Sequence, residues 1–316
     1  MSVAQVVHDI LSLGVPFSVA LLLAALGEMF NQRAGVFNLG CEGIMSVGAF
    51  LAFVPPYLLA TGSLAPWANL AGFALAIAGG VLLGALFALV TVTFRAPQGI
   101  AGIGLQMLGW GVAGVIFRHF IGGVTGIEGV GRWPIPGLSR IPYVGDVLFD
   151  HNPLVYLAFL AVPASAFLLF RTPWGLRVRA VGTYPRAADT MGVSVTRVRY
   201  QALMLGGAMA GLGGAYLSLC QAKMFADDLV AGRGFIAVAL VYFGRWTPLG
   251  IMGGALLFSL AQALQLSIQV AGIPFPYEFA VMLPYALVIL VLALARKSRM
   301  LGPTALGKPY DREMRV

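Results

Sequence analysis

The chain has 316 residues, of which 59% are hydrophobic and only 10% charged, with a formal net charge of +8 and a mean hydropathy of +0.88. A soluble domain carries about 25% charged residues, so this composition excludes a water-soluble globular enzyme and points to an integral membrane protein. The surplus of Lys and Arg flanks apolar runs, where each such residue gains about 1 kcal/mol beside anionic lipid, and it calls for no nucleic-acid partner.

The N-terminal stretch MSVAQVVHDILSLG lacks the basic n-region of a secretory leader, so the first apolar run reads as a retained helix. A hydrocarbon core of about 30 Å takes about 20 helical residues. On that scale the spans fall at 12–30, 36–59, 70–94, 99–119, 152–170, 200–221, 248–270 and 277–295, with a shorter apolar segment at 232–244. Glu42 is the sole charged residue between 34 and 94, and 96–117, 201–222 and 246–277 carry none. Backbone groups in lipid must bond internally and no long alternating strand pattern occurs. The expected fold is therefore all-α: a polytopic transmembrane helical bundle of about 8–10 spans, forming one domain over 1–316.

Taken in order, the second span holds Glu42. A carboxylate at mid-helix costs about 2.5–3.5 kcal/mol even on an insertion scale, so it faces protein or a water-filled cavity. Two readings stand: a hydrogen-bond hub that caps a broken helix, or a group on a solute path. Asn38 precedes Glu42 by four residues, which in a helix puts both on one face. Gln106 lies mid-span in the Gly-rich fourth span and is the preferred single solute-path residue; Gln98 and Gln201 are further neutral polar candidates. The loop at 120–151 is long and rich in Gly and Pro, with Trp133, and suits an external docking surface.

The loop at 171–199 holds six arginines (Arg171, Arg177, Arg179, Arg186, Arg197, Arg199) against one acid, Asp189. Basic loops between spans stay in the cytoplasm. Alternation then puts Arg33, Arg95, Arg245 and the tail 296–316 on the same side, and 60–69, 120–151 and 222–231, with Glu128, Asp146, Asp150, Asp227 and Asp228, on the other. Inside the basic loop the pattern Ala-x-Gly-x4-Ala-Ala-x3-Gly, from Ala180 to Gly192, is small-residue helix packing.

Gly206, Ala210 and Gly214, with Gly207 and Gly211, form small-xxx-small ridges, as do Gly250 and Gly254, and these serve close helix packing. Segment 232–244 is too short to cross alone and fits a broken or re-entrant helix buried among others. It belongs to a Gly-interrupted stretch, 231–257, that matches 34–50 in the other half, a pairing that marks transporters with internal inverted repeats. Gln262, Gln265 and Gln269 make one helix stripe, either lining a cavity or bonding a neighbouring helix. The tail offers GPTALGK at 302–308, a near match to a phosphate loop, but Pro309 stands where the magnesium-binding hydroxyl belongs and no strand precedes it. No catalytic, metal-binding or cofactor motif is present: His8, His119 and His151 are scattered, and Cys41 and Cys220 lack a CxxC spacing.

The blocks Gly27-Glu28, Arg33 through Gly40, Glu42 through Met45 with Gly48-Ala49-Phe50, then 177–192, then Gly232 through Ala237 with Phe243 through Trp246 and Pro248-Leu249-Gly250, resemble the permease subunits of bacterial ABC importers of the branched-chain amino acid, ribose and simple-sugar group, and within it the nucleoside-type permeases. The resemblance implies a non-catalytic permease in the bacterial inner membrane that pairs with a second permease. It also implies two cytoplasmic ATPase subunits and an extracytoplasmic solute-binding protein. A short coupling helix is expected over 184–192, with Tyr184, Ala187, Ala188, Asp189 and Gly192 facing the ATPase; Pro185 suits its first turn. The rivals are an ion-coupled secondary transporter, for which Glu42 alone speaks, and a polytopic membrane enzyme, which the scattered histidines disfavour.

Overall fold

The computed structural model describes residues 3–60, 63–123, 126–141, 143, 145–270, 276–294 and 302–311. Arg296, Lys297, Arg299, Arg312 and Arg315 of the tail and the turn at 271–275 lie outside the described residues. The helices, in chain order, are α1 (Val3–Arg33), α2 (Cys41–Leu58), α3 (Ala65–Ala88), α4 (Gln98–Phe120), α5 (Gly145–Phe149), α6 (Pro153–Arg171), α7 (Pro173–Thr183), α8 (Pro185–Thr190), α9 (Val195–Tyr216), α10 (Arg233–Phe243), α11 (Pro248–Val270) and α12 (Tyr277–Leu294). Seven of the described helices are long and apolar enough to cross a membrane, and no strand is formed among the described residues. The chain is a multi-pass, all-α membrane protein.

Each expected span is present as a helix, with shifted ends. α1 reaches nine residues further toward the N-terminus than 12–30 suggests, running from Val3. α2 begins only at Cys41, because the chain between Arg33 and Cys41 spends its backbone donors elsewhere. Gly35 turns through φ +86°, Phe37 N donates to Gln98 Oε1 at 2.8 Å and Asn38 N to Glu28 Oε1 at 3.1 Å. Asn38 thus lies outside the helix, and its Oδ1 accepts from Gly40 N at 2.9 Å. The shared helix face expected for Asn38 and Glu42 does not form.

α1 is the central post. Residues 19–26 are each at most 2% exposed, and a helix buried all round can be apolar all round. It packs on α9, α10, α11 and α6. α3, α4 and α6 lie outside, with exposed Leu82, Met107 and Leu160 suited to lipid. In lipid there is little hydrophobic gain from helix contact, so close van der Waals packing decides which helices meet. The ridges on α9 do this: Gly207 meets Gly80 of α3, Gly211 meets Ala76 of α3 and Gly48 of α2, and Gly214 meets Met45 of α2, each against backbone. Gly250, with Gly254, brings α11 back onto the C-terminal end of α10 at Gly244 and Phe243.

Two π-helical segments, Leu89–Thr93 after α3 and Leu217–Ala222 after α9, extend their helices. Basic residues from distant loops gather at one end of the bundle. Arg33 donates to Trp246 O at 2.8 Å, Arg95 pairs with Asp311 at 2.5 Å, and Arg199 donates to Ala34 O at 3.2 Å. The 120–151 loop closes the opposite end, where Ile127 N donates to Lys223 O at 2.9 Å and Val130 N to Leu219 O at 3.0 Å. Arg118 pairs there with Asp227 at 2.7 Å and Arg132 with Asp150 at 3.2 Å.

Candidate functional site

The short segment seen in the sequence is α10, eleven residues packed against α1, α2 and α11. The first N–H groups of a helix have no partner inside it, and its N-terminus carries about half a positive charge. Gly232 at the N-cap turns through φ +80°. Its N–H donates to Glu42 Oε1 at 2.8 Å, and Gly234 N–H donates to Glu42 Oε2 at 2.6 Å. Both carboxylate oxygens are thus spent on α10, and Glu42 is fully buried. Arg233 folds back to the carbonyls of Leu229 and Val230 at 3.1 and 3.2 Å, holding the turn that leads in. Glu42 is the hub that caps a broken helix, and Gly234 is bare so that α2 can approach: a Cβ there would fall 2.5 Å from Glu42 Cα.

The other end of α10 leaves its helix through Arg245 and Trp246, both left-handed at φ 51° and 53°. Trp246 Nε1 donates to Gln32 Oε1 at 2.9 Å, and Arg33 donates twice to Trp246 O at 3.1 and 2.8 Å. Behind them stands Glu28, 1% exposed. Its carboxylate accepts from Asn31 Nδ2 at 2.8 Å, Gln32 Nε2 at 3.1 Å and Asn38 N at 3.1 Å. This network was not singled out from the sequence, although Glu28, Asn31 and Gln32 at spacings of three and four in an apolar helix are its signal. Trp246→Phe keeps an aromatic side chain, loses the indole N–H and orphans Gln32 Oε1. Leaving a buried acceptor unpaired costs about 1–3 kcal/mol, so this variant is expected to melt at lower temperature in detergent while remaining assembled, as a thermal-shift measurement reads.

Of the candidate solute-path residues, Asn38 and Glu42 flank the start of α2, Asn38 bonded to Gly40 and Glu42 to α10. α4 crosses α2 where Gln106, 8% exposed, lies so near Gly43 that a Cβ on Gly43 would sit 2.6 Å from Gln106 Cα. Gln262 and Gln265 lie apart from them on α11, both half-buried. Gln262 Oε1 is buried without a hydrogen-bond partner among the described residues. Gln98 and Gln201 have structural partners instead, Phe37 N at 2.8 Å and Trp174 Nε1 at 2.9 Å.

The basic loop folds as two short helices, α7 and α8, and the second covers the segment expected to couple. Thr172 Oγ1 accepts from Gly175 N at 3.1 Å to cap α7. Pro185 opens α8, and Gly192, at φ +81°, closes it as Val193 N donates back to Ala188 O at 3.0 Å. Such left-handed C-terminal positions favour glycine. Ala188 is only 6% exposed and turns inward, whereas Tyr184 and Met191 are 67% and 83% exposed; Ala187 and Gly192 are exposed beside them. Asp189 is half-buried and accepts from the Tyr310 hydroxyl at 3.0 Å. The 302–308 stretch forms no phosphate cradle: Ala305 N and Gly307 N donate to Gly182 O at 3.0 Å and Gly35 O at 3.3 Å.

A buried, capped half-helix inside a polytopic bundle, together with a basic two-helix projection at one end, defines a membrane transport subunit. The family model described as branched-chain amino acid transport system / permease component matches residues 10–292. The chain belongs to this family and is an ABC importer permease subunit. It is 36% identical to a guanosine ABC transporter permease, NupQ, of Bacillus subtilis over 98% of both chains. It is 38% identical to a putative glucose ABC transporter permease, TsgC13, of Haloferax volcanii over 96% of this chain and 98% of that one. It is 35% identical to a nucleoside ABC transporter permease, NupC, of Lactococcus lactis over 98% and 99%. No solved structure matches the chain at a significant level.

Proposed function

We propose that the whole chain acts as one permease domain that moves a nucleoside or similar small polar solute inward across a bacterial inner membrane. A second permease subunit completes the pore, an extracytoplasmic binding protein delivers the solute, and two cytoplasmic ATPase subunits supply the energy. The basic end, with the C-terminal tail, faces the cytoplasm. Two of the three relatives carry guanosine or nucleoside in their names and the third glucose, and both kinds of solute are polar and uncharged. The solute path runs by Gln106, Asn38 and Glu42 on one side and Gln262 and Gln265 on the other. The unpartnered Gln262 Oε1 supports a solute contact there, since a buried acceptor otherwise goes unpaid.

The observation that carries the reading is α8: a short helix with a bare outer face of Tyr184, Ala187, Met191 and Gly192 in the basic loop. This is the coupling helix, and Ala188 and Asp189 fix it from behind. Because Ala188 packs inward, the informative substitution is on the outer face. Met191→Arg leaves the fold intact and puts a guanidinium into the docked contact. An unpaired charge there costs about 3 kcal/mol, roughly a hundredfold in affinity. Co-purification of the ATPase subunit with this variant is expected to fail, and undiminished association would remove α8 from the interface.

A further inference from the structure

Ten residues near the C-terminus, 302–311, run across the basic end of the bundle and touch almost every element that finishes there. Gly302 lies under the Trp246 ring, with its Cβ position 2.7 Å from the ring edge. The Thr304 hydroxyl donates to Thr183 O at the end of α7, and Ala305 N donates to Gly182 O at 3.0 Å. Gly307 N reaches Gly35 O in the α1–α2 turn at 3.3 Å. Lys308 O accepts from Arg199 Nη1 at 3.3 Å, and the same guanidinium holds Ala34 O at 3.2 Å. Tyr310 bonds Asp189 of α8 at 3.0 Å, and Asp311 pairs with Arg95 in the α3–α4 turn at 2.5 Å.

α8 needs such a connection. Among the described helices its main packing is on α7 and, more weakly, α9, and it is bounded by the turn at Tyr184 and the left-handed Gly192. Pushed from outside, a six-residue helix so hinged would tilt without moving α2 or α4. The segment 302–311 bonds it to the turn ahead of α2, which carries Asn38 and leads to Glu42, and to the turn ahead of α4, which carries Gln106. It meets α8 along one edge. Tyr184 and Ala187 of its outer face line, together with the segment, a solvent-open cavity of about 670 Å³.

We propose that residues 302–311 form a strap that makes α8, the α1–α2 turn and the α3–α4 turn move as one body, with Tyr310 and Asp311 as positioning residues that convert displacement of α8 into displacement of the solute path. This rests on α8 being the coupling helix. The strap adds no contact to the ATPase; it sets how much transport each hydrolysed ATP produces.

The test uses the full transporter in proteoliposomes, with guanosine as the probe solute. Tyr310→Phe combined with Asp311→Leu removes two side-chain ties and keeps similar volumes. ATPase co-purification and hydrolysis are expected to stay within about twofold of the parent, while guanosine moved per ATP falls roughly tenfold, as expected when two hydrogen bonds to charged groups are lost. In a Cys220→Ala background, Asp189→Cys with Tyr310→Cys is expected to show the same uncoupling, and joining the two thiols with a short bis-maleimide to restore transport per ATP. Unchanged coupling in the first variant, loss of ATPase association, or failure of the cross-link to restore transport would each overturn the strap. A wrong assignment of α8 gives a different result: Met191→Arg, with the strap intact, would leave ATPase association unchanged.

Discussion

Replacing Glu42 with glutamine is expected to cost almost as much as replacing it with alanine. The carboxylate accepts from Gly232 N at 2.8 Å through one oxygen and from Gly234 N at 2.6 Å through the other, inside fully buried surroundings. A glutamine amide keeps one acceptor and turns a donor toward the second N–H, so one amide of α10 loses its partner and meets a like dipole. Hydrogen bonds to a charged group contribute about 1.5–3 kcal/mol each, and the negative charge at a helix N-terminus adds up to about 2 kcal/mol in partly buried geometry. The expected outcome for Glu42→Gln is a melting temperature lower by roughly 5 °C or more and near-complete loss of uptake, because α10 no longer holds its position beside α2. Glu42→Asp retains the charge but shortens the reach, and is expected to fall between. Equal melting temperatures for the parent and Glu42→Gln would contradict the capping role.

The second large effect lies in the packing of α3 on α9. Gly80 and Gly207 face each other so closely that a Cβ on either would overlap the carbonyl of the other. Neither obstacle is a side chain that can rotate away, so Gly207→Leu must separate the helices along their whole contact. Forcing extra atoms into a packed core typically costs about 1–3 kcal/mol and sometimes more, and here the same strain passes to Gly211 and Gly214, which seat α9 on α3 and α2. Gly207→Leu is expected to abolish accumulation of folded protein in the membrane, read as loss of a monodisperse peak in detergent. Gly253→Leu on α11 is the control, since a Cβ there meets nothing within 4 Å, and it is expected to accumulate like the parent.

The helices were legible because charge and hydropathy segregate so sharply in this chain. A desert such as 201–222 can only be a span, and its small residues mark the packing ridge. Segment 232–244 is legible too, through its length: an eleven-residue helix cannot cross alone. Other features depend on contacts that local sequence does not encode. Asn38 was expected on a helix face with Glu42, yet Phe37 and Asn38 give their amides to Gln98 and Glu28, and that long-range competition delays the helix to Cys41. Glu28 sits in a helix that looks apolar on average, and its partner through Gln32, Trp246, is more than two hundred residues away in the chain. Ala187 and Ala188 are adjacent and alike, and only the fold separates the exposed one from the inward one. The 302–308 stretch resembles a phosphate loop only by chance, and its backbone bonds to residues 35 and 182 are recorded by no motif.

The central claim is that this chain is driven by ATP hydrolysed on another subunit. The most direct measurement is uptake of radiolabelled guanosine into proteoliposomes holding the chain with the proposed second permease and binding protein, with and without the proposed ATPase subunits. Uptake is predicted to require both the ATPase subunits and ATP, and to be indifferent to an imposed proton or sodium gradient. Gradient-driven uptake by the chain in the absence of the ATPase subunits would contradict the account and establish a secondary transporter instead.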